Sequence, residues 1–574
     1  MLLSGIAQGP LRLLGLGLLL ANVIEGAATA PTARTLNGTY EGLHLPDWDQ
    51  DAFLGMPFAQ PPVGPLRWRW PQSVNASFEG VRNATTYGYS CMQYGSAFDL
   101  SEDCLTINVV RPAAETPPPE PLPVLVWIYG GGLSLGSTAD PQYNLSGIVQ
   151  VSQAMGRPVV AVSMNYRLGL WGFLQTPQLA AEGSSNAGLL DQRLALRWIQ
   201  ENIGAFGGDA ARVTVWGESA GAQSVAYQMF AYGGRDDGLF RAAILESGGP
   251  TGAQVQPLSW YAGAAENLTR AVGCWGNSAD QLACLRSVDQ AALFAAHPSV
   301  VWNPLLDGDF LRGYPSQLMR EGNFLRVPLV TGANTDETFS LPGRQDTEEE
   351  LFDAFLSWRS YALTPPTIRR LLALYPDDPC APAPPYAIGH CTQRPGAGTG
   401  RQWRRGAAIG SDLVMGAQRR RMAELFAGTP TGEESEGGKA RVYSYRFDQR
   451  IWNGPAWDGV KHFQNVAFSF QNVSGLLGPR AAYGRHLGLA RGIGRAYVNF
   501  VYDADPNGRG GGEQKSERGN AMDGMVLPHW PAYDLQRPQN MVLNATGCWV
   551  EEDTWRREQI AFINTPEVTR ELLG

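Results

Sequence analysis

Short apolar runs alternate with an amphipathic stretch through the first half of the chain. Residues 124–129 are apolar throughout, and residues 159–164 are apolar except for Ser163. Such runs are typical of strands covered by helices on both faces. Residues 189–203 carry apolar side chains at helical spacing and predict an amphipathic helix. Further apolar strands are predicted from Val213 and over 242–245. Strand and helix therefore alternate, which predicts an α/β protein with a large, mostly parallel central sheet and helices on both faces.

The second half of the chain has a less regular pattern. Residues 327–331 and 442–447 predict strands, and 351–375 and 410–426 predict helices. An alternating strand is expected earlier, over 101–110. The stretches 428–439 and 505–520 are rich in glycine and charge, and predict surface loops. With no internal repeat and no clean linker, the sequence predicts one domain over 31–574.

The stretch 213–230 contains the strongest chemical signal. An apolar strand leads into Gly217-Glu-Ser-Ala-Gly221, and a helical pattern follows over 220–230. This G-x-S-x-G turn between a strand and a helix holds its serine in a strained, positive-φ conformation above the sheet. Ser219 is therefore the candidate nucleophile, with a structural turn serine as the alternative.

A serine hydroxyl needs a base, usually a histidine oriented by a carboxylate, and in this kind of fold both follow the serine in the chain. His462 lies in a glycine-containing loop and is favoured. Other histidines after the serine suit surface or packed positions better: His297, His390, His486 and His529. Asp336 and Glu337 both follow the 327–331 strand, and the sequence pattern alone does not separate them as the acid.

Backbone N–H groups free of side chains are needed to stabilise an oxyanion. Gly130, Gly131 and Gly132 follow directly on the 124–129 strand, and Ala220 comes next after the candidate nucleophile. We read the glycines as N–H donors rather than as a merely flexible turn, because they precede the G-x-S-x-G motif.

Composition and targeting signals narrow the class of protein. The chain has 574 residues, 44% of them hydrophobic, and a formal net charge of -9, which argues against a nucleic-acid partner. Residues 1–30 resemble a secretory signal peptide, with Arg12, an apolar run over 13–24 and small residues before Ala30. The run is shorter than the about 20 residues that span a bilayer, so we expect no transmembrane segment and a secreted, extracellular protein.

Sequons and cysteines agree with export. Seven N-x-S/T sequons predict a glycosylated surface: Asn37, Asn75, Asn83, Asn144, Asn267, Asn472 and Asn544. Seven cysteines suggest disulfides in an oxidising compartment. Proximity in sequence makes three pairs plausible, Cys91–Cys104, Cys274–Cys284 and Cys380–Cys391, and leaves Cys548 over.

Several motifs together resemble the type-B carboxylesterase/lipase family of α/β-hydrolases, which includes cholinesterases, carboxylesterases and secreted fungal lipases. The likeness covers about residues 40–565 and rests on residues 53–67, 101–110, 127–132, 165–169, 186–192, 206–209 and 217–221. It implies Ser219 as nucleophile, Glu337 as acid and His462 as base. It also implies Gly131, Gly132 and Ala220 as oxyanion donors, Ser247 as a serine beside the triad, and the disulfides Cys91–Cys104 and Cys274–Cys284.

Two departures from the family pattern bear on the substrate. The family often has a glutamate three residues after the histidine, where this chain has Asn465. The Cys91–Cys104 loop is short and holds no tryptophan, which weakens a cholinesterase reading and argues against a lid that responds to a lipid interface.

The sequence thus predicts a secreted serine carboxylic-ester hydrolase that forms an acyl-enzyme, with a small-molecule or lipid ester as substrate. No metal-ligand spacing is present, and no cofactor is expected. The first alternative is a lipase or sterol esterase acting on long acyl chains. The second is a non-catalytic adhesion or binding protein on the same fold.

Overall fold

The structure, a computed structural model, describes residues 30–572 except 96–97, 114–119, 253, 277–280, 297–299, 338–340, 360–361, 379–399, 429–440, 453–458, 473–479 and 509–524. The predicted signal peptide, except for Ala30, lies outside these residues. The candidate pair Cys380–Cys391 also lies outside them. So do most of the two predicted glycine-rich loops, 428–439 and 505–520.

The strands of the described residues are, in chain order, β1 (Thr32–Thr35), β2 (Gly38–Glu41), β3 (Leu43–Leu45), β4 (Gln50–Pro57), β5 (Val81–Asn83), β6 (Ser90–Cys91), β7 (Leu100–Ser101), β8 (Thr106–Pro112), β9 (Leu122–Ile128), β10 (Val160–Met164), β11 (Gly208–Glu218), β12 (Ala242–Glu246), β13 (Leu329–Asn334), β14 (Val442–Phe447), β15 (Gln539–Leu543) and β16 (Trp549–Glu552).

The α-helices are α1 (Ser146–Ala154), α2 (Gly169–Phe173), α3 (Pro177–Ala181), α4 (Ala187–Asn202), α5 (Ala220–Phe230), α6 (Ala262–Ala271), α7 (Gln281–Ser287), α8 (Gln290–Ala295), α9 (Pro315–Glu321), α10 (Glu348–Ser357), α11 (Pro365–Leu374), α12 (Trp403–Ser411), α13 (Ala417–Gly428), α14 (Val466–Ser469), α15 (Arg480–Asp503), α16 (Arg557–Ile563) and α17 (Pro566–Glu571). A π-helical turn, Asp412–Gly416, joins α12 to α13.

A large sheet organises the described part of the chain. Its strand order is β16-β15-β14-β13-β12-β11-β9-β10-β8-β4-β3. From β10 to β15 every neighbouring pair is parallel, and antiparallel strands flank this block on both sides. The mostly parallel α/β sheet predicted from the apolar runs is therefore present.

The central strands form the core because both of their faces are covered. Val124 through Ile128 in β9 have no solvent-exposed surface, and neither do Val160, Ala161 and Val162 in β10. Continuous apolar sequence in a parallel strand reflects helices on both sides of the sheet. The carboxyl ends of β9, β11, β12 and β13 consequently meet at one edge, where the candidate site lies.

Two predicted elements have different bounds in the structure. The strand expected over 101–110 begins at Thr106, because Leu100 and Ser101 pair instead with β6. The helical stretch expected over 351–375 is two helices, α10 and α11. The second begins at Pro365, since a proline lacks the N–H that a continuing helix requires but suits a first helical position.

Two disulfides are present within the described residues, Cys91–Cys104 and Cys274–Cys284. Both are pairs that the sequence predicts. Cys548 is a half-buried free thiol.

Candidate active site

Ser219 occupies the apex of a sharp turn between β11 and α5. Its backbone has φ 56° and ψ -125°, which a non-glycine residue rarely adopts. The flanking glycines are required by close packing: a Cβ on Gly217 would lie 2.4 Å from the Gly221 carbonyl carbon, and one on Gly221 would lie 2.1 Å from the Ile128 oxygen. The predicted strand–turn–helix context of the G-x-S-x-G motif is thus present.

A continuous chain of contacts joins Ser219, His462 and Glu337. The Oγ atom of Ser219 lies 2.8 Å from Nε2 of His462. The Nδ1 atom of the same ring lies 2.7 Å from Oε2 of Glu337. Oε1 of Glu337 accepts a 2.7 Å hydrogen bond from the backbone N–H of Asn334, which fixes the carboxylate. This arrangement can transfer a proton from the hydroxyl to an oriented imidazole.

The loops that carry the acid and the histidine are hydrogen-bonded to each other. The N–H of His462 donates to the Glu337 carbonyl (3.0 Å), and the N–H of Glu337 donates to the Val460 carbonyl (3.2 Å). Asp336, the other acid left open by the sequence pattern, accepts a 2.7 Å bond from the Val460 N–H. Glu337 therefore contacts the imidazole, whereas Asp336 ties the two loops together.

The remaining histidines after Ser219 do not approach this group within the described part of the chain. His486 lies on α15, where its Nε2 is 3.1 Å from the side-chain nitrogen of Gln449. His529 is exposed. His297 and His390 lie outside the described residues.

The three candidate oxyanion donors line the same cavity as Ser219 and His462. Gly131 and Gly132 have φ values of 97° and 64°, and a Cβ on Gly131 would lie 2.1 Å from the Leu135 oxygen. The N–H groups of Gly131, Gly132 and Ala220 donate to no described residue, so they remain able to bind a developing oxyanion.

Buried carboxyl groups surround the imidazole, and the sequence reasoning missed their importance. Glu218, next to the serine, is buried, and burial raises the pKa of its carboxyl, although the charge of a protonated His462 opposes that rise. Burial would lower the pKa of His462, but the charge of Glu218 and the hydrogen bond with Glu337 outweigh it and raise that pKa above 6.5. Burial also raises the pKa of Glu246 to about 7.

Asn465, which stands where the family often has a glutamate, forms hydrogen bonds with the buried groups near the imidazole. Its side-chain amide donates to Glu246 (3.2 Å), and its oxygen accepts from the Asn334 side chain (3.1 Å). Ser469 and Tyr497 also donate to the Glu246 carboxyl group. The amide of Asn465 thus donates a hydrogen bond to a buried carboxyl group. Sequence analysis could have found this pair only by considering Glu246 and Asn465 together.

Ser247 lies directly after β12, beside the Ser219 turn. It is fully buried with φ 48°, and its N–H donates to the Gly332 carbonyl (2.8 Å). Its Oγ has no hydrogen-bond partner among the described residues. The structure thus places the predicted serine next to Glu246, whose carbonyl accepts from the Ser219 N–H, and its hydroxyl makes no hydrogen bond to the candidate catalytic residues.

The site opens into a cavity of about 900 Å³ that is lined by Ser219, His462 and the candidate oxyanion glycines. No described residue of the Cys91–Cys104 loop lines it. Tyr94 of that loop packs instead on Phe294 and Trp171. In the described residues the short disulfide loop therefore supports the fold and does not cover the candidate nucleophile.

The described residues contain neither a metal-binding cluster nor a membrane-spanning helix. No group of three or more histidine, cysteine or acidic side chains there is arranged to hold a metal ion. Among the helices that the structure describes, none combines the length and hydropathy that a bilayer crossing requires.

Comparison with known proteins gives a consistent result over nearly the whole chain. Residues 29–563 match the model of the carboxylesterase family. The chain is 36% identical to Lipase 1 of Geotrichum candidum, covering 94% of this chain and 96% of that protein. It is 35% identical to Secreted lipase 1 of Botryotinia fuckeliana, covering 69% and 75%. The solved structure of Aspergillus niger EstA superposes with a TM-score of 0.78 at 28% identity, covering 95% of this chain and 99% of that one.

Proposed function

Because this chain belongs to the carboxylesterase family, has the α/β-hydrolase fold and is a carboxylic ester hydrolase, we propose that it is a secreted enzyme working through Ser219, His462 and Glu337. The observation that carries the proposal is the unbroken contact from the serine hydroxyl through the imidazole to the carboxylate.

The proposed reaction has two halves. His462 takes the Ser219 proton as Oγ attacks the ester carbonyl, and the N–H groups of Gly131, Gly132 and Ala220 bind the resulting oxyanion. The protonated imidazole then gives its proton to the leaving alcohol, which leaves an acyl group on Ser219. Water, activated by His462, attacks this acyl-enzyme and releases the acid. Glu337 keeps the ring oriented and stabilises its protonated form.

Ser219→Ala tests the nucleophile directly. The variant should lose turnover of a p-nitrophenyl ester and labelling by a fluorophosphonate, while its thermal unfolding stays close to that of the parent. Ser287→Ala is the matched control, because Ser287 is exposed and lies away from the cavity. Labelling that persists in Ser219→Ala would refute the assignment, and absence of labelling in the parent would favour a non-catalytic binding protein.

Long-chain acyl esters are a second candidate substrate class, favoured by the lipases among the relatives. An acyl-length series with and without a lipid–water interface separates the two. A short-chain optimum with no interfacial rise supports the carboxylesterase, and a long-chain optimum supports the lipase.

Secretion and glycosylation form part of the same proposal. They are supported by the signal-like residues 1–30, the seven sequons, the two disulfides and the relatives described as secreted. Recovery of the native protein from the medium with a glycan mass, and with an amino terminus near residue 31, is the expected result.

A further inference from the structure

Part of the cavity wall is unusually polar for an ester pocket. Five glutamines line it, and four of them are buried residues: Gln223, Gln254, Gln256 and Gln418. The guanidinium-bearing residue Arg359 lines the same cavity. Ligand pockets are mostly apolar with a few placed polar groups, and buried polar groups are costly unless they find partners. The side-chain amides of three of these glutamines already donate within the protein: Gln223 to the Tyr227 hydroxyl, Gln254 to the Arg359 carbonyl and Gln418 to the Val414 carbonyl. The polar group of this wall that has a buried nitrogen without a described partner is Arg359.

Arg359 has no acidic partner in the described part of the chain. One of its Nη atoms donates to the Gly252 carbonyl, and its own carbonyl accepts from the Gln254 side chain (3.2 Å). The other Nη atom is buried without a hydrogen-bond partner, and Nε makes no hydrogen bond to a described residue. The guanidinium carbon lies 4.6 Å from the ring centroid of Trp358.

Several buried arginines of this protein pair with carboxylates. Arg67 contacts Glu102, Arg167 contacts Asp191, and Arg419 contacts Asp553. Isolating a buried charge is unfavourable, so proteins pair such groups or leave them for a ligand. Burial lowers the pKa of Arg359 to about 10, which leaves it charged at neutral pH.

A short path of contacts through residues 248–252 connects Ser219 to Arg359. A Cβ on Gly248 would lie 2.4 Å from the Ser219 carbonyl oxygen, so this residue packs directly against the candidate nucleophile. A turn follows, closed by a 3.5 Å hydrogen bond from the Gly252 N–H to the Gly249 carbonyl. Because the ends of such a turn lie within about 7 Å, this path places the guanidinium within roughly 20 Å of Ser219. Since Ser219 and Arg359 line the same cavity, one substrate bound there can contact both groups.

We propose that Arg359 binds a carboxylate of the substrate, so that the preferred substrates are anionic esters. This inference rests on the proposed function and names the substrate class of that site. The carboxylate belongs to the acyl part, as in half-esters of dicarboxylic acids, or to the alcohol part, as in esters of hydroxy acids. A guanidinium fork recognises a carboxylate with two parallel hydrogen bonds, which here would come from Nε and the neighbouring Nη.

Two substrate series test the proposal on the unaltered enzyme. The first compares monoethyl esters of dicarboxylic acids, from succinate to suberate, with ethyl esters of monocarboxylic acids of equal length. The second compares acetate esters of ω-hydroxy acids with acetates of the corresponding alkanols. In at least one of the two series, kcat/KM should be at least about tenfold higher for the anionic ester than for its neutral counterpart. Equal or better turnover of the neutral ester in both series would overturn the proposal.

Arg359→Gln then assigns the preference to this side chain. It should raise KM for the favoured anion by at least about tenfold and leave neutral esters within about twofold. Arg270→Gln, an exposed arginine on α6, is the matched control. An equal loss for both ester classes would contradict the inference. If the variant does not fold, inhibition of the parent replaces it: free adipate should compete more strongly than adipamide, and the reverse order would refute a carboxylate site.

The same assays distinguish failure of the carboxylate site from failure of the proposed esterase function. Turnover of neutral esters with fluorophosphonate labelling, but without preference for anions, removes only the carboxylate site. Loss of all ester turnover and of labelling removes the proposed function itself.

Discussion

The Oε1 atom of Glu218 lies 3.4 Å from Nε2 of His462, the same ring nitrogen that contacts Ser219. A carboxylate in this position favours the protonated imidazole, whereas catalysis needs the neutral base. The pKa of His462 is raised above 6.5, so activity should fall as pH decreases through a value higher than 6.5.

Glu218→Gln tests this relationship. Removing the charge should lower the pKa of His462 and move the acidic limb of the kcat/KM profile to lower pH. The measurement is a pH–rate profile with an uncharged p-nitrophenyl ester. A limb that stays in place or moves upward would show that Glu218 does not act on the imidazole.

Glu337→Gln should reduce kcat by about 10³–10⁴-fold, because an amide no longer holds the imidazole in the tautomer that accepts the serine proton. Asp336→Asn is the paired variant, since the amide oxygen can still accept from the Val460 N–H and the side chain does not contact the ring. Its loss of kcat should be much smaller. Equal losses in the two variants would contradict the assignment of Glu337 as the acid.

Gly221→Ala should abolish esterase activity and destabilise the fold, because the new methyl group would lie 2.1 Å from the Ile128 oxygen on β9. Gly263→Ala on α6 is the control, since a Cβ there has no neighbour within 4 Å. That change should stabilise the protein by about 0.4–1 kcal/mol. Urea unfolding and an ester assay measure both effects, and an active Gly221→Ala enzyme would disprove the packing argument.

Asp553→Asn should destabilise the protein by about 3–5 kcal/mol at neutral pH, because it leaves Arg419 and Arg420 buried without a counter-charge. Burial alone would raise the pKa of Asp553, but the two guanidinium groups hold it well below 3.8. Its contribution is thus present above the unfolded pKa and lost as pH falls towards the folded value. Urea unfolding against Asp309→Asn, an exposed aspartate, measures the difference. An equal loss in both variants would contradict the buried-pair argument.

Four of the seven sequon asparagines are exposed: Asn75, Asn83, Asn144 and Asn267. The side-chain nitrogens of Asn37 and Asn544 donate instead to backbone carbonyls. We expect glycans at the four exposed positions and none at Asn37 or Asn544. Peptide mapping after deglycosylation in heavy-oxygen water locates the modified residues, and glycans confined to Asn37 and Asn544 would contradict this expectation.

Local patterns predicted the elements that are local in origin. The apolar run of β9 and the glycine-flanked turn at Ser219 are readable because burial and backbone strain leave direct marks in the sequence. The choice between Asp336 and Glu337 depends on how two loops pair, which adjacent residues do not encode. The family resemblance supplied that assignment, and the contact between Glu337 and His462 agrees with it.

Other parts of the site depend on contacts between distant segments and were missed. Asn465 and Glu246 are 219 positions apart, so their pairing has no local signature. No sequence pattern marks Arg359. What distinguishes it is that no carboxylate among the described residues pairs with its guanidinium, and only the folded structure shows this.

Positive backbone φ angles occur at Ser219, Ser247 and Glu337. These residues follow three neighbouring strands, β11, β12 and β13. Each such non-glycine conformation costs on the order of 1–3 kcal/mol, and glycine at the same place would remove much of it. At this edge of the sheet, the side chains proposed for catalysis therefore lower the stability of the fold. A descendant that no longer needs ester turnover could gain stability by replacing Ser219 with glycine, so the proposed nucleophile persists only under selection for catalysis.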